Sequence, residues 1–312
     1  MKRSVGWAQA LACGMSLLAA VGCGGDDEGG NPQPAVDKSA GCDAVGVMAG
    51  DDMTITIEHD GMQREFVLHV GQAVDVTQPV ALWIDWHGLT SAALQQQLYS
   101  GTTALADEKG FIVAYPSGIG AAFNAGDCCS QLASPPHMAD DVGFGRAIVD
   151  YVATHACVNL KRVYSTGMSN GGYMSEWNAC QADDVYAAVA PVSAMGYQQT
   201  DCMPSRPVPM LAFNGTEDGL VSYDGSRVSI GQWKERNGCT GDADRTDFGD
   251  SYCETWSCDA GTELTSCTIT GMNHCWPGNP LTIPGFCASG GLSDIDATPM
   301  IFDFFERFTL PD

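Results

Sequence analysis

The sequence predicts an α/β protein with a mainly parallel sheet covered by helices on both faces. Three observations carry that reading. Short, fully apolar runs alternate with amphipathic segments through the middle of the chain, the pattern of strands buried on both sides. The chain has 312 residues, enough to bury roughly 75% of its unfolded surface around one core. Its composition, 45% hydrophobic and 17% charged, is that of a globular protein.

The elements follow in chain order. Met53–Glu58, Glu65–Val70 and Val80–Trp86 read as strands on their β-branched and aromatic content. Ser91–Lys109 reads as one helix with Leu94, Leu98 and Leu105 on its inner face, and Gly110 stops it. Phe111–Tyr115 is a buried strand ended by Pro116-Ser117-Gly118. Residues 118–138 are irregular and carry Cys128 and Cys129. Val142–His155 is helical: Phe144, Ile148 and Val152 recur every fourth residue, Val149 lies beside them, and Asp140 or Asp141 caps the start. A strand at Arg162–Thr166 leads to a helix at Gly171–Cys180. Strands at Tyr186–Val192 and Val208–Phe213 precede a helix at Ser226–Arg236. Gly238–Cys267 is polar and cysteine-bearing, shows no pattern, and reads as an insertion that shapes a subsite. Pro299–Phe308 closes the chain as a helix.

The first 22 residues read as an export signal. Lys2 and Arg3 precede an apolar stretch that is densest over Ala10–Val21 and ends in small residues. The stretch is short for a bilayer span, and no later segment is long and apolar enough to make one. Ala20-Val21-Gly22-Cys23 resembles a bacterial lipobox, with Ala20 where leucine is usual. The resemblance implies lipidation of Cys23 as the mature N-terminus, and a site outside the cell or in its envelope. Residues 23–40, with GGDDEGGNPQP, read as a flexible acidic tether. Residues 41–312 remain as the single domain.

Twelve of the fourteen cysteines lie beyond Cys23, an even number. After an export signal they imply up to six disulfides. The pairing is not legible, although the adjacent Cys128 and Cys129 are expected to bond to two distant partners. There is no CxxC pair, and Cys253-x4-Cys258 lacks a well-spaced partner set, so no metal site is expected. The net charge is −24, with only 14 basic residues, and no basic stripe for nucleic acid exists. A neutral substrate is the simpler expectation.

Gly167-Met168-Ser169-Asn170-Gly171 matches G-x-S-x-G between an apolar strand and a helix. That is the context of a nucleophile elbow, a sharp turn whose flanks must be free of side chains. A serine nucleophile needs a base and an acid, and elbow enzymes order them Ser, Asp or Glu, His. Of His59, His69, His87, His137, His155 and His274, only His274 follows Ser169. Asp218 follows the strand Val208–Phe213 and is the preferred acid, with Glu217 its nearest rival and Asp224 a weaker one. His87-Gly88-Leu89 ends another strand, where such enzymes place an oxyanion donor. The donors here are the backbone N–H groups of Leu89 and Asn170. His87 precedes the nucleophile and reads as a loop histidine.

Eight blocks, in order, carry a wider resemblance: ALWIDWHGLTSAA, LADEKGFIVAYPSG, AGDCC, DDVGFGRAIVDYV, RVYSTGMSNGGYMSEWNAC, YAAVAPVSA, FNGTEDGLVSY and NHCWPG. Together they resemble the extracellular esterase family that includes polyhydroxybutyrate depolymerases and feruloyl and acetylxylan esterases. The resemblance implies an α/β-hydrolase fold, a triad of Ser169, Asp218 and His274, and an oxyanion donor at Leu89. Members often read HGC where this chain reads HGL; only the backbone donates there. The resemblance also implies that Trp276 lies near bound substrate, with packing under the histidine loop as its alternative role. It implies no metal or organic cofactor, and an ester-bearing polymer or oligomer as substrate. No separate substrate-binding domain is seen, which favours soluble oligomers or accessible side-chain esters. Two other readings stay open: a peptidase or other acyl hydrolase on the same fold, and a non-catalytic surface binding lipoprotein.

Overall fold

The centre of the protein is one ten-stranded sheet, described from a computed structural model that covers residues 36–43, 46–195, 201–283, 286–288 and 290–312. The export signal at residues 1–22, Cys23 and most of the tether lie outside the described residues. The strands are β1 (Asp52–His59), β2 (Met62–Val70), β3 (Val80–Trp86), β4 (Ile112–Pro116), β5 (Val158–Met168), β6 (Ala188–Val192), β7 (Met210–Gly215), β8 (Asp244–Phe248), β9 (Ser251–Ser257) and β10 (Glu263–Ile269). Their spatial order is β1-β2-β4-β3-β5-β6-β7-β10-β9-β8. The six strands from β4 to β10 are parallel, and antiparallel ribbons close both ends.

Strand alternation divides the core in two. Leu82, Ile84 and Trp86 of β3 join one buried cluster with Phe144, Ile148 and Met174; Ala81 and Trp83 join another with Phe304 and Phe305. The first cluster is covered by α3 (Asp141–His155), α4 (Asn170–Gln181) and α5 (Tyr223–Arg236). The second is covered by α1 (Ala93–Ser100), α2 (Thr102–Lys109) and α6 (Ala297–Phe305). On that face Trp83 stacks on Phe111 at 4.5 Å and meets Phe305 edge-on at 4.8 Å. Asp140 caps α3 as expected, accepting from Gly143 N at 2.8 Å.

Four expectations need correction. Ser91–Lys109 is two helices, because Gly101 adopts φ 72° between them. The face turned inward is also different: Leu94 and Leu98 are 60% and 74% exposed, while Gln96, Tyr99 and Ser100 are buried. The cause is Asp85, a fully buried carboxyl in β3, which accepts from Gln96 Nε2 at 2.8 Å and Thr102 Oγ1 at 2.9 Å. A buried carboxyl without such donors costs more than two exposed leucines gain. Burial still pushes the Asp85 carboxyl up to about 6.

Gly238–Cys267 is part of the sheet and supplies β8, β9 and most of β10. Thr265, Ser266 and Thr268 make β10 look polar, yet all are buried, with hydroxyl bonds such as Thr265 to Thr255 and Thr268 to Tyr223 at 2.9 Å. The disulfides Cys239–Cys258 and Cys253–Cys267 staple the segment, the second between residues directly paired across β9 and β10.

Cys128 and Cys129 bond to each other, against expectation. The other ten described cysteines pair among themselves, as Cys42–Cys157, Cys180–Cys202, Cys275–Cys287 and the two above, leaving no distant partner among the described residues. Finally, the last residues assigned to the tether are docked. Asp37 N donates to Asn159 Oδ1 at 3.0 Å, Ser39 Oγ to Ala156 O at 2.8 Å, and Ser39 is buried.

Candidate active site

The six parallel strands end at one rim, and three of the candidate residues stand on it. Ser169 follows β5, Asp218 lies three residues past β7, and His274 lies five past β10. Since β7 pairs with both β6 and β10, and β6 with β5, the three loops are neighbours. Ligands of open parallel sheets bind beyond these carboxyl ends.

Ser169 has φ 56° and ψ −121°, a conformation that costs an L-residue roughly 1–3 kcal/mol. The surroundings enforce it. A Cβ on Gly167 would lie 2.5 Å from Trp86 O, and one on Gly171 would fall inside the radius of the same oxygen. A Cβ on Gly172 would come 2.6 Å from Ala194 Cβ. The end of β3 and the segment after β6 therefore press the turn from two sides.

The candidate acid and the candidate base meet directly. His274 Nδ1 donates to Asp218 Oδ2 at 2.8 Å, with both side chains almost wholly buried. Asp218 Oδ1 accepts from the backbone N–H groups of Leu220 and Val221, each at 2.9 Å, so three donors fix the carboxylate. With Nδ1 engaged, Nε2 is the ring nitrogen left for chemistry. Glu217 is exposed and Asp224 sits in the first turn of α5; neither bonds His274. The histidine loop is tied to the segment after β6 by Ser193 Oγ, which donates to Cys275 O at 3.0 Å.

Two N–H groups flank the serine. Asn170 is fully buried and opens α4, yet among the described contacts its backbone N–H has no acceptor. Leu89 N–H likewise has none, and Gly88 lies against the serine: a Cβ there would sit 3.4 Å from Ser169 Cβ. Leu89 is half-buried, but a fully buried donor without a partner, as at Asn170, is rare and calls for an explanation. His87 holds this loop. Its Nδ1 donates to Gly88 O at 2.8 Å and its Nε2 accepts from Gly118 N at 3.0 Å. Burial pulls its pKa down to about 4, so it is neutral.

Sequence reasoning missed several supporting groups. The Asn170 side chain grips Phe123, accepting from its N–H at 2.7 Å and donating to its carbonyl at 3.0 Å. Phe123 packs on the His87 ring at 4.6 Å, so the irregular stretch 118–138 is pinned over the elbow. No sequence signal marks that clamp. Asp85 had one: a lone carboxyl in the apolar run VALWIDW. Trp276 is 1% exposed, and its Nε1 donates to Thr298 Oγ1 at 2.9 Å while its backbone N–H donates to Tyr99 OH. Its ring packs under the histidine loop. Among the described residues no group of His, Cys, Asp and Glu is placed to hold a metal ion, and no helix is long and apolar enough to cross a membrane.

Strand order, elbow and rim define the α/β-hydrolase fold. The acetyl xylan esterase of Aspergillus awamori shares it, with a TM-score of 0.60 at 16% identity over 82% of this chain and 99% of that one. Residues 97–207 match the prolyl oligopeptidase family, a span that includes the elbow but neither Asp218 nor His274. The chain is 35% identical over 217 residues to feruloyl esterase B of Piromyces equi, covering 62% of this chain and 39% of that protein. It is 24% identical over 262 residues to poly(3-hydroxyalkanoate) depolymerase C of Paucimonas lemoignei, covering 73% of this chain and 62% of that protein. The chain thus spans less than two thirds of the length of either relative. The resemblance read from the eight sequence blocks is borne out by these relatives and by the fold.

Proposed function

We propose that the protein is a serine esterase that cleaves carboxylic esters through an acyl-enzyme. The observation that carries this reading is the His274–Asp218 hydrogen bond on the rim where Ser169 sits between two N–H groups without acceptors. In the reaction, His274 Nε2 takes the Ser169 proton as Oγ attacks the ester carbonyl carbon. The Leu89 and Asn170 N–H groups hold the resulting oxyanion. Collapse breaks the C–O bond, and the alcohol leaves with the proton from His274. Water, deprotonated by His274, then cleaves the acyl-enzyme and frees the acid. Asp218 orients the imidazole and stabilises its charged form.

The substrate class we favour is an acylated neutral polysaccharide or oligosaccharide, feruloylated or acetylated, ahead of a hydroxyalkanoate polyester. The likeness to a feruloyl esterase and the net charge of −24 both support a neutral ester polymer. Six disulfides support an oxidising compartment outside the cytoplasm. The lipobox-like segment supports an anchor at Cys23.

The test is turnover of p-nitrophenyl butyrate and methyl ferulate by the oxidised protein beside Ser169→Ala. The reading predicts turnover that the variant lacks; none by either protein would favour a non-catalytic binding lipoprotein. The prolyl oligopeptidase match favours one rival, a peptidase. A peptide substrate that outpaces both esters would establish it.

A further inference from the structure

The loop after His274 carries a feature the reaction above does not use. Phe286 is 42% exposed, although a phenyl ring gains by burial, and its centroid lies 6.5 Å from that of His274. The placement is built in covalently. The Cys275–Cys287 disulfide joins the residue after His274 to the residue after Phe286. Paired backbone bonds between Ile283 and Cys287, both 2.8 Å, close the turn that presents the ring. Leu281 and Ile283 on the same loop are 49% and 36% exposed. This is an apolar surface beside the candidate general acid, and exposed apolar surface at a site marks contact with a ligand.

Proton transfer decides which part of the substrate that surface meets. The acyl group is held between Ser169 and the two N–H groups. The alcohol oxygen must come within hydrogen-bond reach of His274 Nε2 to be protonated. A ring flanking the imidazole therefore borders the departing alcohol rather than the acyl chain. Resting on the esterase reading above, we propose that Phe286 is a specificity-determining platform for the alcohol half of the ester. The occupant is a neutral sugar, whose C–H face lies flat on the ring.

The experiment compares two esters with the same acyl group: methyl ferulate and 5-O-feruloyl-arabinose. The readout is the ratio of kcat/KM for the sugar ester to that for the methyl ester. Phe286→Ala is expected to lower this ratio about ten-fold, through KM, by loss of one aromatic contact. Phe286→Tyr restores it. Phe286→Leu, which keeps bulk without a ring, lowers it as well and guards against an alanine variant that does not fold. A ratio unchanged in both the alanine and leucine variants, or equal losses on the two esters, overturns the proposal. Wild-type protein that cleaves neither of these nor p-nitrophenyl butyrate refutes the esterase reading itself, whereas one that cleaves p-nitrophenyl butyrate but neither feruloyl ester overturns this proposal alone.

Discussion

The two halves of the site are held in place by different physics. The Ser169 turn is fixed by exclusion. Trp86 O and Ala194 Cβ leave no room for a side chain at Gly167, Gly171 or Gly172, so the serine has one conformation available. The His274 loop is fixed by attachment. A disulfide at Cys275, the Ser193 hydroxyl at Cys275 O, and the bonds of Trp276 to Tyr99 and Thr298 tie it down. Steric exclusion acts whatever the redox state, whereas a disulfide acts only once formed. The elbow should survive reduction, and the base should not keep its position.

The largest expected effect removes the chemistry itself. Ser169→Ala should lower ester turnover by roughly 10⁴-fold or more, measured with p-nitrophenyl butyrate, because members of a triad act as a unit. Turnover near wild type would sink the mechanism.

The second effect separates the halves. The Cys275→Ser, Cys287→Ser double variant should lose about 10²-fold in kcat/KM, since misplacing a catalytic group by about 1 Å has that effect. Opening this 12-residue separation should also cost about 3 kcal/mol in urea unfolding. Fluorophosphonate should still label Ser169 slowly. An elbow that also loses all labelling would show that the halves are not independent.

Gly171→Ala attacks the other half. Its Cβ has no space beside Trp86 O, so a stability loss of about 3 kcal/mol by denaturant unfolding is expected, with or without reductant. A variant as stable as wild type would mean that the turn is set by something else.

The smallest effect lies just behind the elbow. Glu176 on α4 is fully buried, and its Oε1 accepts from Ser229 Oγ and Trp233 Nε1, both at 2.8 Å, linking α4 to α5. Burial raises its pKa from 4.5 to about 7. A carboxyl raised in the folded state gives full stability below pH 4.5, and this is lost as pH rises through 7. Between pH 5 and 8 the loss is on the order of 2 kcal/mol. Glu176→Gln should remove that part of the pH dependence, read as a smaller difference in Tm between the two pH values. An unchanged difference would place the titration elsewhere.

What the sequence revealed follows the same division. Exclusion leaves a sequence trace, because only glycine satisfies it: the elbow was legible from Gly167 and Gly171 around Ser169. Chain order alone then singled out His274, and position after β7 favoured Asp218 over Glu217, the choice the 2.8 Å bond supports. Attachment leaves little trace. The pairing of Cys275 with Cys287 could not be read, and the adjacent Cys128 and Cys129 misled. Polar burial was legible only as a lone carboxyl, Asp85, in an apolar run, and its partners were not. Leu94 and Leu98 looked like a core face until Asp85 demanded Gln96 and Thr102. The threonines of β10 concealed the strand that joins the parallel strands to the antiparallel ribbon of β9 and β8.

The most direct measurement is labelling of the full oxidised protein with a fluorophosphonate, followed by peptide mass analysis. The account predicts one adduct, on the peptide that contains Ser169, and none on Ser169→Ala. No adduct on the folded wild type, or an equal adduct on the variant, would contradict it.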